Sequence, residues 1–174
     1  MKIAIGSDHS GVALKDEIKA YLESRKIAYE DLGTYTTDSC DYPRIAEKVC
    51  KTILGGAADR GILICGTGVG MSISANKFKG IRAAACSEPF SAIFAKRHNN
   101  ANVLCLGARV IAGGLATLLV EGWLNANFEG ERHQRRVDMI TRLEQRSSME
   151  PTTHPEAAPA PITDEDTHPI QTQL

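Results

Sequence analysis

The chain has 174 residues, 43% of them apolar, which is enough for one globular domain with a sizeable core. A formal net charge of −1 provides no overall basic field for nucleic acid or an anionic membrane. No apolar run approaches the roughly 18 residues of a membrane span, and the first residues turn polar too early for a secretory signal. We therefore expect a cytoplasmic protein with neither a nucleic-acid nor a membrane partner.

The first third of the chain alternates predicted strands and helices. A strand over residues 2–6 leads into the polar segment 7–11 and then into a helix over 12–24, whose apolar residues recur at helical spacing. A second strand is predicted over 27–32. The next helix begins at Asp41-Tyr42-Pro43, with proline in its first turn, and ends at Gly55-Gly56.

The same alternation continues to about residue 146. A buried strand over 61–65 precedes a glycine-rich loop and a short helix to about residue 77. Strands over 81–86 and 103–107 enclose a helix over 88–97, and two further helices are predicted over 113–125 and 132–146. Alternating strands and helices predict an α/β fold of three α/β/α layers, Rossmann-like, with a five-stranded parallel sheet. The order of the strands stays open.

Composition divides the chain at about residue 147. The segment 148–174 holds most of the prolines, several threonines and no periodic apolar face, so it is predicted to be a disordered tail. The working domain is predicted to span residues 1–147.

Five cysteines are present, and no two of them form a C-x-x-C pair typical of zinc or redox sites. Cys50, Cys86 and Cys105 lie in apolar patterns and are predicted to be small buried hydrophobic residues. A thiol redox function would lack its usual resolving partner. Cys65 differs because it directly precedes the glycine-rich loop.

That loop, Gly66-Thr67-Gly68-Val69-Gly70, carries three glycines at alternate positions before a helix. Such a backbone directs several N–H groups at one point and predicts an anion site, either for a phosphate or for a developing oxyanion. The sequence matches neither the Walker motif nor the dinucleotide fingerprint. Cys65 is then either a base at the mouth of this site or a buried cysteine at a strand end.

Five further positions have a functional and a purely structural interpretation. Asp8 and His9, at the end of the first strand, could hold a hydroxyl and an anion, or Asp8 could cap the next helix. His98 could be a general acid or a surface histidine at a helix end. Arg132 and Arg136 share a helix face and could clamp one dianion, or be solvated. No grouping has metal-ligand spacing, so no metal is expected.

Five segments together resemble the type B ribose-5-phosphate isomerases, a family that also includes allose- and galactose-6-phosphate isomerases. The matching segments are IGSDHSG at the start, DYP at 41–43, ICGTGVGMSISANK at 64–77, RHNNANVLCLGAR at 97–109 and FEGERHQRR at 128–136. The resemblance extends over about residues 1–146. It implies interconversion of ribose 5-phosphate and ribulose 5-phosphate in the non-oxidative pentose phosphate pathway, without a cofactor.

The resemblance also implies a role for each matching residue. Cys65 would move a proton between C2 and C1, since the stretch 70–75 lacks the glutamate that another subgroup uses. The loop residues Gly66, Gly68, Val69 and Gly70 would bind the enediolate oxygen through their amides. Ring opening is assigned to Thr67 and His98, hydroxyl binding to Asp8, the pocket wall to Tyr42 and Asn99, and phosphate binding to His9, Arg132, Arg136 and Arg109.

The family further implies a homodimer, or a dimer of dimers, with active sites between subunits. This removes a difficulty, because His98 ends a helix and should lie at the opposite sheet edge from Cys65. Two alternatives stay open at this point. One is an isomerase of allose 6-phosphate or another hexose 6-phosphate, and the other is a non-catalytic binder of sugar phosphates.

Overall fold

The computed structural model describes residues 1–147, so the predicted tail, 148–174, lies outside the described residues. The strands are β1 (Lys2–Ser7), β2 (Ala28–Asp31), β3 (Arg60–Cys65), β4 (Ala83–Ala85) and β5 (Val103–Gly107). The helices are α1 (Val12–Ser24), α2 (Tyr42–Leu54), α3 (Val69–Ala75), α4 (Pro89–Asn99), α5 (Gly113–Asn125) and α6 (Glu131–Ser147). A short 3-10 helix, His9–Gly11, joins β1 to α1 and was not predicted.

All five strands are parallel and lie in the order β2-β1-β3-β5-β4, which confirms the predicted sheet and supplies its order. The fourth strand is shorter than predicted. The N–H of Arg82 bonds to the side chain of Asn102 at 2.8 Å, and the N–H of Ile81 bonds to Phe78 at 3.0 Å. Because these amides are taken by turn contacts, regular pairing begins only at Ala83.

Helices cover both faces of the sheet, as a three-layer α/β/α fold requires. One apolar core packs α1, α4 and α5 against the sheet, and it includes the fully buried Trp123. The second core packs α2 and α3 against the other face, around Val49 and Met71. Among residues 1–147, no helix has both the length and the apolar character to cross a membrane.

A buried ion pair fixes the loop that follows β2. The side chain of Lys15 is 1% exposed, and its Nζ donates to Asp31 Oδ1 at 2.7 Å and to the carbonyl of Thr34 at 2.6 Å. Lys19 Nζ lies 2.9 Å from the other oxygen of Asp31. Burial opposes the charge on Asp31, but hydrogen bonds from the two lysines outweigh it and lower the pKa of this carboxyl.

Three cysteines are buried, as predicted. Cys50 and Cys105 are fully buried and Cys86 is nearly so. Burial raises the pKa of both Cys50 and Cys86 to about 11, and it raises that of Cys105 well above its ordinary value. These thiols therefore stay protonated at neutral pH and are poor nucleophiles.

Candidate active site

A cavity of about 510 Å³ opens where the carboxyl ends of β1 and β3 meet. Its wall comes from the residues after β1, the start of α2, the glycine loop and the segment after β5. The lining residues are Asp8, His9, Ser10, Tyr42, Cys65, Gly66, Thr67, Val69, Gly70, Ile73 and Arg109. Most of the residues predicted from the sequence are therefore brought together in one chain.

The glycine loop aims a backbone donor at the thiol. The N–H of Gly68 donates to Cys65 Sγ at 3.1 Å, and Gly68 adopts a left-handed φ of 78°. A Cβ added at Gly68 would lie 3.0 Å from the backbone carbon of Leu106, so the loop packs directly on β5. The N–H of Ala108 bonds to the carbonyl of Cys65 at 2.8 Å and fixes this arrangement. The tight turn thus requires glycine, and it directs the 68 amide at sulfur.

The polar side chains after β1 are held by local hydrogen bonds. Asp8 caps the 3-10 helix, since its Oδ1 accepts from the N–H of Ser10 at 3.0 Å and from the Ser10 hydroxyl at 2.6 Å. His9 Nδ1 accepts the N–H of Cys40 at 3.3 Å. The neutral His9 ring therefore carries its hydrogen on Nε2, the nitrogen available as a donor to an anion. Asp8 thus caps the 3-10 helix and not α1, whose N-cap is Gly11 without a side-chain bond, and the carboxylate lines the cavity as well.

Tyr42 and Arg109 close the cavity over two loop glycines. A Cβ added at Gly70 would lie 2.7 Å from Tyr42 Cζ, so the tyrosine ring rests on the loop backbone. The Arg109 side chain crosses Gly66 in the same way, with its Nε 3.6 Å from the position of such a Cβ. The loop thus presents its amides between an aromatic ring and a guanidinium group.

Four predicted site residues lie away from this cavity in the same chain. His98 and Asn99 end α4, and Arg132 and Arg136 lie on α6. Asn99 belongs to a separate groove of about 750 Å³, beside α6, and its carbonyl accepts from Arg82 Nε at 3.0 Å. Chain direction explains the separation, because the end of α4 faces the edge of the sheet where β4 and β5 begin.

His98 is part of a cluster that the sequence did not reveal. Its ring stacks on His133 at a centroid distance of 4.0 Å and an angle of 10°, and it contacts the Phe94 ring edge-on at 4.7 Å. Glu129 Oε2 lies 3.4 Å from His98 Nε2 and 3.6 Å from His133 Nε2. Both new residues lie in the segment FEGERHQRR, but no spacing rule pairs that segment with the end of α4.

These three residues are also the one group among residues 1–147 whose ligand atoms converge as at a metal site, within 4.8 Å of one another. The surrounding charge disfavours a cation. Arg97 binds Glu129, and Arg132 and Arg136 act on His133 as further positive charges. We therefore assign no metal to this cluster.

Burial and neighbouring charges decide which groups of the cluster are ionised. Burial lowers the pKa of His133, and the nearby His98 and Arg132 lower that pKa further. Burial opposes ionisation of Glu129, but the bond from Arg97 and the two imidazoles outweigh it and lower the pKa of the carboxyl. The expected state is an ionised Glu129 beside a neutral His133.

Comparisons with known proteins agree with the architecture. The model of the Ribose/Galactose Isomerase family matches residues 3–140. Ribose-5-phosphate isomerase B of Escherichia coli is 53% identical over 145 residues, covering 83% of this chain and 97% of that protein. The solved structure of Clostridium thermocellum ribose-5-phosphate isomerase B superposes with a TM-score of 0.83 at 48% identity, covering 84% of this chain and 99% of that one. A Mycoplasma genitalium ribose-5-phosphate isomerase B with bound ribulose-5-phosphate has a TM-score of 0.80 and 44% identity, with 83% and 96% coverage.

Proposed function

Because the chain belongs to the ribose/galactose isomerase family, we propose that it interconverts ribose 5-phosphate and ribulose 5-phosphate, a step of the non-oxidative pentose phosphate pathway. The chain is an isomerase, and its similarity to ribose-5-phosphate isomerases B favours a pentose phosphate over a hexose phosphate. One observation carries the mechanism: the Cys65 thiol lines a cavity together with the amides of the glycine loop.

In this mechanism Cys65 is the base that moves the proton. The thiolate takes the proton from C2 of the open-chain aldose, the electron pair forms the C1–C2 double bond, and the carbonyl oxygen at C1 becomes an enediolate oxygen. The thiol then returns the proton to C1, while the hydroxyl proton passes from O2 to O1. The amides of residues 66–70 stabilise the intermediate oxygen. Before substrate binds, the N–H of Gly68 donates to Cys65 Sγ at 3.1 Å and that of Val69 to Thr67 Oγ1 at 3.3 Å, so these two amides exchange or share their partners when the oxygen arrives.

The remaining cavity residues hold the substrate. The Asp8 carboxylate accepts sugar hydroxyl groups, Tyr42 covers the sugar chain, and Thr67, within the glycine loop, assists ring opening. His9 and Arg109 supply the cationic and N–H donors that a phosphate dianion needs. Each of them lines the same cavity as Cys65, which supports their joint use.

The other proposed residues act from a second subunit. His98, Asn99, Arg132 and Arg136 lie outside the Cys65 cavity of their own chain, so a homodimer brings them to the cavity of the partner. The exposed apolar side chains of Val69 and Ile73 at the cavity rim, 52% and 58% exposed, support a contact at this place. In the dimer these arginines complete the phosphate site, and His98 reaches the sugar ring.

The first experiment compares the wild type with Cys65→Ala in ribose 5-phosphate turnover, in the presence of EDTA. We expect ribulose 5-phosphate from the wild type, no turnover by the variant, and unchanged binding of substrate by calorimetry. Cys40→Ala is the matched control, since it removes a thiol near the cavity while the backbone N–H that bonds His9 remains. Turnover by Cys65→Ala would remove Cys65 as the base, and an inactive wild type would direct the search to hexose 6-phosphates.

The shared site is tested by mixing two inactive variants, Cys65→Ala and His98→Gln. In a hybrid dimer one site has both substitutions and the other has neither. Refolding the two chains together in equal amounts should therefore restore about a quarter of wild-type activity per chain, if subunits pair at random. If native mass spectrometry detects hybrid dimers and the mixture is still inactive, the site is not built from two subunits.

We propose that residues 1–147 carry the whole activity. Similarity to the E. coli relative covers nearly all of that protein within 145 residues of this chain. A chain ending at residue 147 should keep the wild-type kcat and KM for ribose 5-phosphate. A large loss in either constant would assign the remaining residues a part in catalysis.

A further inference from the structure

The stacked pair His98–His133 and the carboxylate of Glu129 form a cluster that the proposed mechanism uses only in part. His98 has a role in ring opening, but Glu129 and His133 have none so far. His133 Nε2 is buried and has no hydrogen-bond partner among the described residues. An imidazole nitrogen in that position needs an explanation, because burying a polar atom without a partner is costly.

Glu129 is held in place both through its backbone and through its side chain. Its backbone N–H donates to the carbonyl of Arg97 at 2.9 Å. Arg97 Nε donates to Glu129 Oε1 at 2.6 Å, and Nη2 of the same guanidinium also contacts this oxygen. Oε1 is thereby occupied, which leaves Oε2 facing both imidazoles at 3.4 and 3.6 Å.

Only one of the two rings can carry a proton charge at a time. The rings stack at 4.0 Å, so two imidazolium ions would repel each other strongly. The charged groups that face the pair are Glu129 and Arg97 from one side and Arg132 and Arg136 from α6. His133 is 4% exposed, whereas the His98 side chain is 34% exposed, so water can solvate a charge on the His98 ring and not on the His133 ring.

We propose that Glu129 is a positioning residue that holds the Nε2–H of His98, so that Nδ1 is the nitrogen that delivers the proton for ring opening, with His133 as its neutral stacking partner. This inference rests on the proposed function, which gives His98 its role in ring opening. Among the described residues, neither nitrogen of His98 makes a hydrogen bond of ordinary geometry. Nε2 has the Glu129 carboxylate 3.4 Å away, whereas Nδ1 has no such partner. A carboxylate that pairs with one imidazole nitrogen fixes the tautomer and stabilises the charged ring, as in hydrolase triads.

Ring opening transfers one proton to O4 and releases another from O1. The imidazolium of His98 gives its Nδ1 proton to the furanose ring oxygen O4 as the C1–O4 bond breaks. The bond's electron pair stays on O4, while a lone pair of O1 forms the C1 carbonyl and the O1 proton passes to water. His98 then recovers a proton from water, so that the ring form and the open form differ by no net proton. Glu129 stays ionised throughout.

Glu129→Gln tests the inference, with Glu131→Gln as the matched loss of charge on the neighbouring turn. Nitrogen NMR of labelled histidines, recorded at alkaline pH where the imidazole rings are neutral, should show His98 as the Nε2–H tautomer in the wild type and in the control. In Glu129→Gln we expect a mixture of the two His98 tautomers. This readout does not depend on any substrate.

Kinetics separate ring opening from proton transfer at carbon. Ribose 5-phosphate closes through O4, whereas ribulose 5-phosphate stays open because its O5 carries the phosphate. We expect Glu129→Gln to lower kcat/KM for ribose 5-phosphate by about 10- to 100-fold. Deuterium uptake at C1 of ribulose 5-phosphate in D2O, which needs only the base, should stay within about twofold of the wild type.

Three results would overturn the inference: unchanged His98 tautomers in Glu129→Gln, unchanged ribose 5-phosphate turnover, or equal losses in turnover and deuterium uptake. Equal losses would mean that Glu129 supports the fold or the base. A wild type that neither converts ribose 5-phosphate nor exchanges the C1 hydrogen would instead contradict the proposed function, and the tautomer measurement would still decide the pairing of Glu129 with His98.

Discussion

Replacing Gly68 by alanine should damage the reaction more than the fold. Gly68 has a φ of 78°, and an L-residue in the left-handed region costs about 1–2 kcal/mol. The added Cβ would lie 3.0–3.2 Å from three backbone atoms of Leu106, so the loop has to move by a few tenths of an ångström. That movement displaces the N–H that donates to Cys65 Sγ at 3.1 Å.

The size of the kinetic effect follows from this hydrogen bond. A hydrogen bond to a charged group contributes about 1.5–3 kcal/mol, which corresponds to about a 10- to 150-fold loss in kcat/KM. The measurement is the initial rate of ribulose 5-phosphate formation, together with urea unfolding to obtain the free energy of unfolding. The loss should lie mainly in kcat, because the thiolate is needed for the chemical step.

Gly56→Ala is the matched control. Gly56 has a similar φ of 74°, but nothing lies within 4 Å of the added Cβ. It should lower the free energy of unfolding by about 1–2 kcal/mol and leave kcat/KM unchanged. Wild-type kcat/KM in Gly68→Ala, or an equal kinetic loss in both variants, would refute the role given to the 68 amide.

Three further predictions concern burial and charge. Lys15→Met should lower the free energy of unfolding by about 3 kcal/mol in urea, because it leaves the Asp31 carboxylate with Lys19 as its one charged partner beside the N–H of Gly33; a change below 1 kcal/mol would contradict this. The pKa of Asp31 lies below its ordinary 3.8, so the stabilising effect of this carboxylate is complete above that pH and is lost as the pH falls through the folded-state value. Asp31→Asn should therefore weaken the dependence of the free energy of unfolding on pH in the acid range, and an unchanged dependence would argue against this. Inactivation by iodoacetamide at pH 8 should be unaffected by Cys50→Ser, since burial raises the pKa of that thiol to about 11, and a slower inactivation would assign the reaction to Cys50.

Much of the fold follows from local pattern. Apolar runs after turn residues place all five strands, and alternation with helices predicts that they are parallel. The limits of β4 were wrong because the Arg82 amide is taken by a side chain from a distant loop, which no local pattern records. The strand order is likewise a property of packing between helices and sheet, and residue periodicity carries no information about it.

The candidate site, like the fold, could be predicted from the sequence only in part. Asp8 and Cys65 are predicted to meet, because parallel strands bring their carboxyl ends to one edge. Glu129 and His133 could not be paired with His98 from the sequence, since their contact depends on how the start of α6 docks on the last turn of α4. Glu129 and His133 both lie in FEGERHQRR, but the resemblance assigns a role only to arginines of that segment.

The cavity exists because of the order of the strands rather than because of particular side chains. After β1 the chain turns to the face that carries α1, and after β3 it turns to the opposite face, towards α3. Two neighbouring strands whose outgoing connections part in opposite directions leave a gap between them that no side chain has to open. The shape of the cavity is therefore set by the path of the backbone, and the reactive side chains are added to it. Removal of the Cys65 thiol should leave the cavity in place, and other side chains on the same backbone would suit another small phosphorylated sugar.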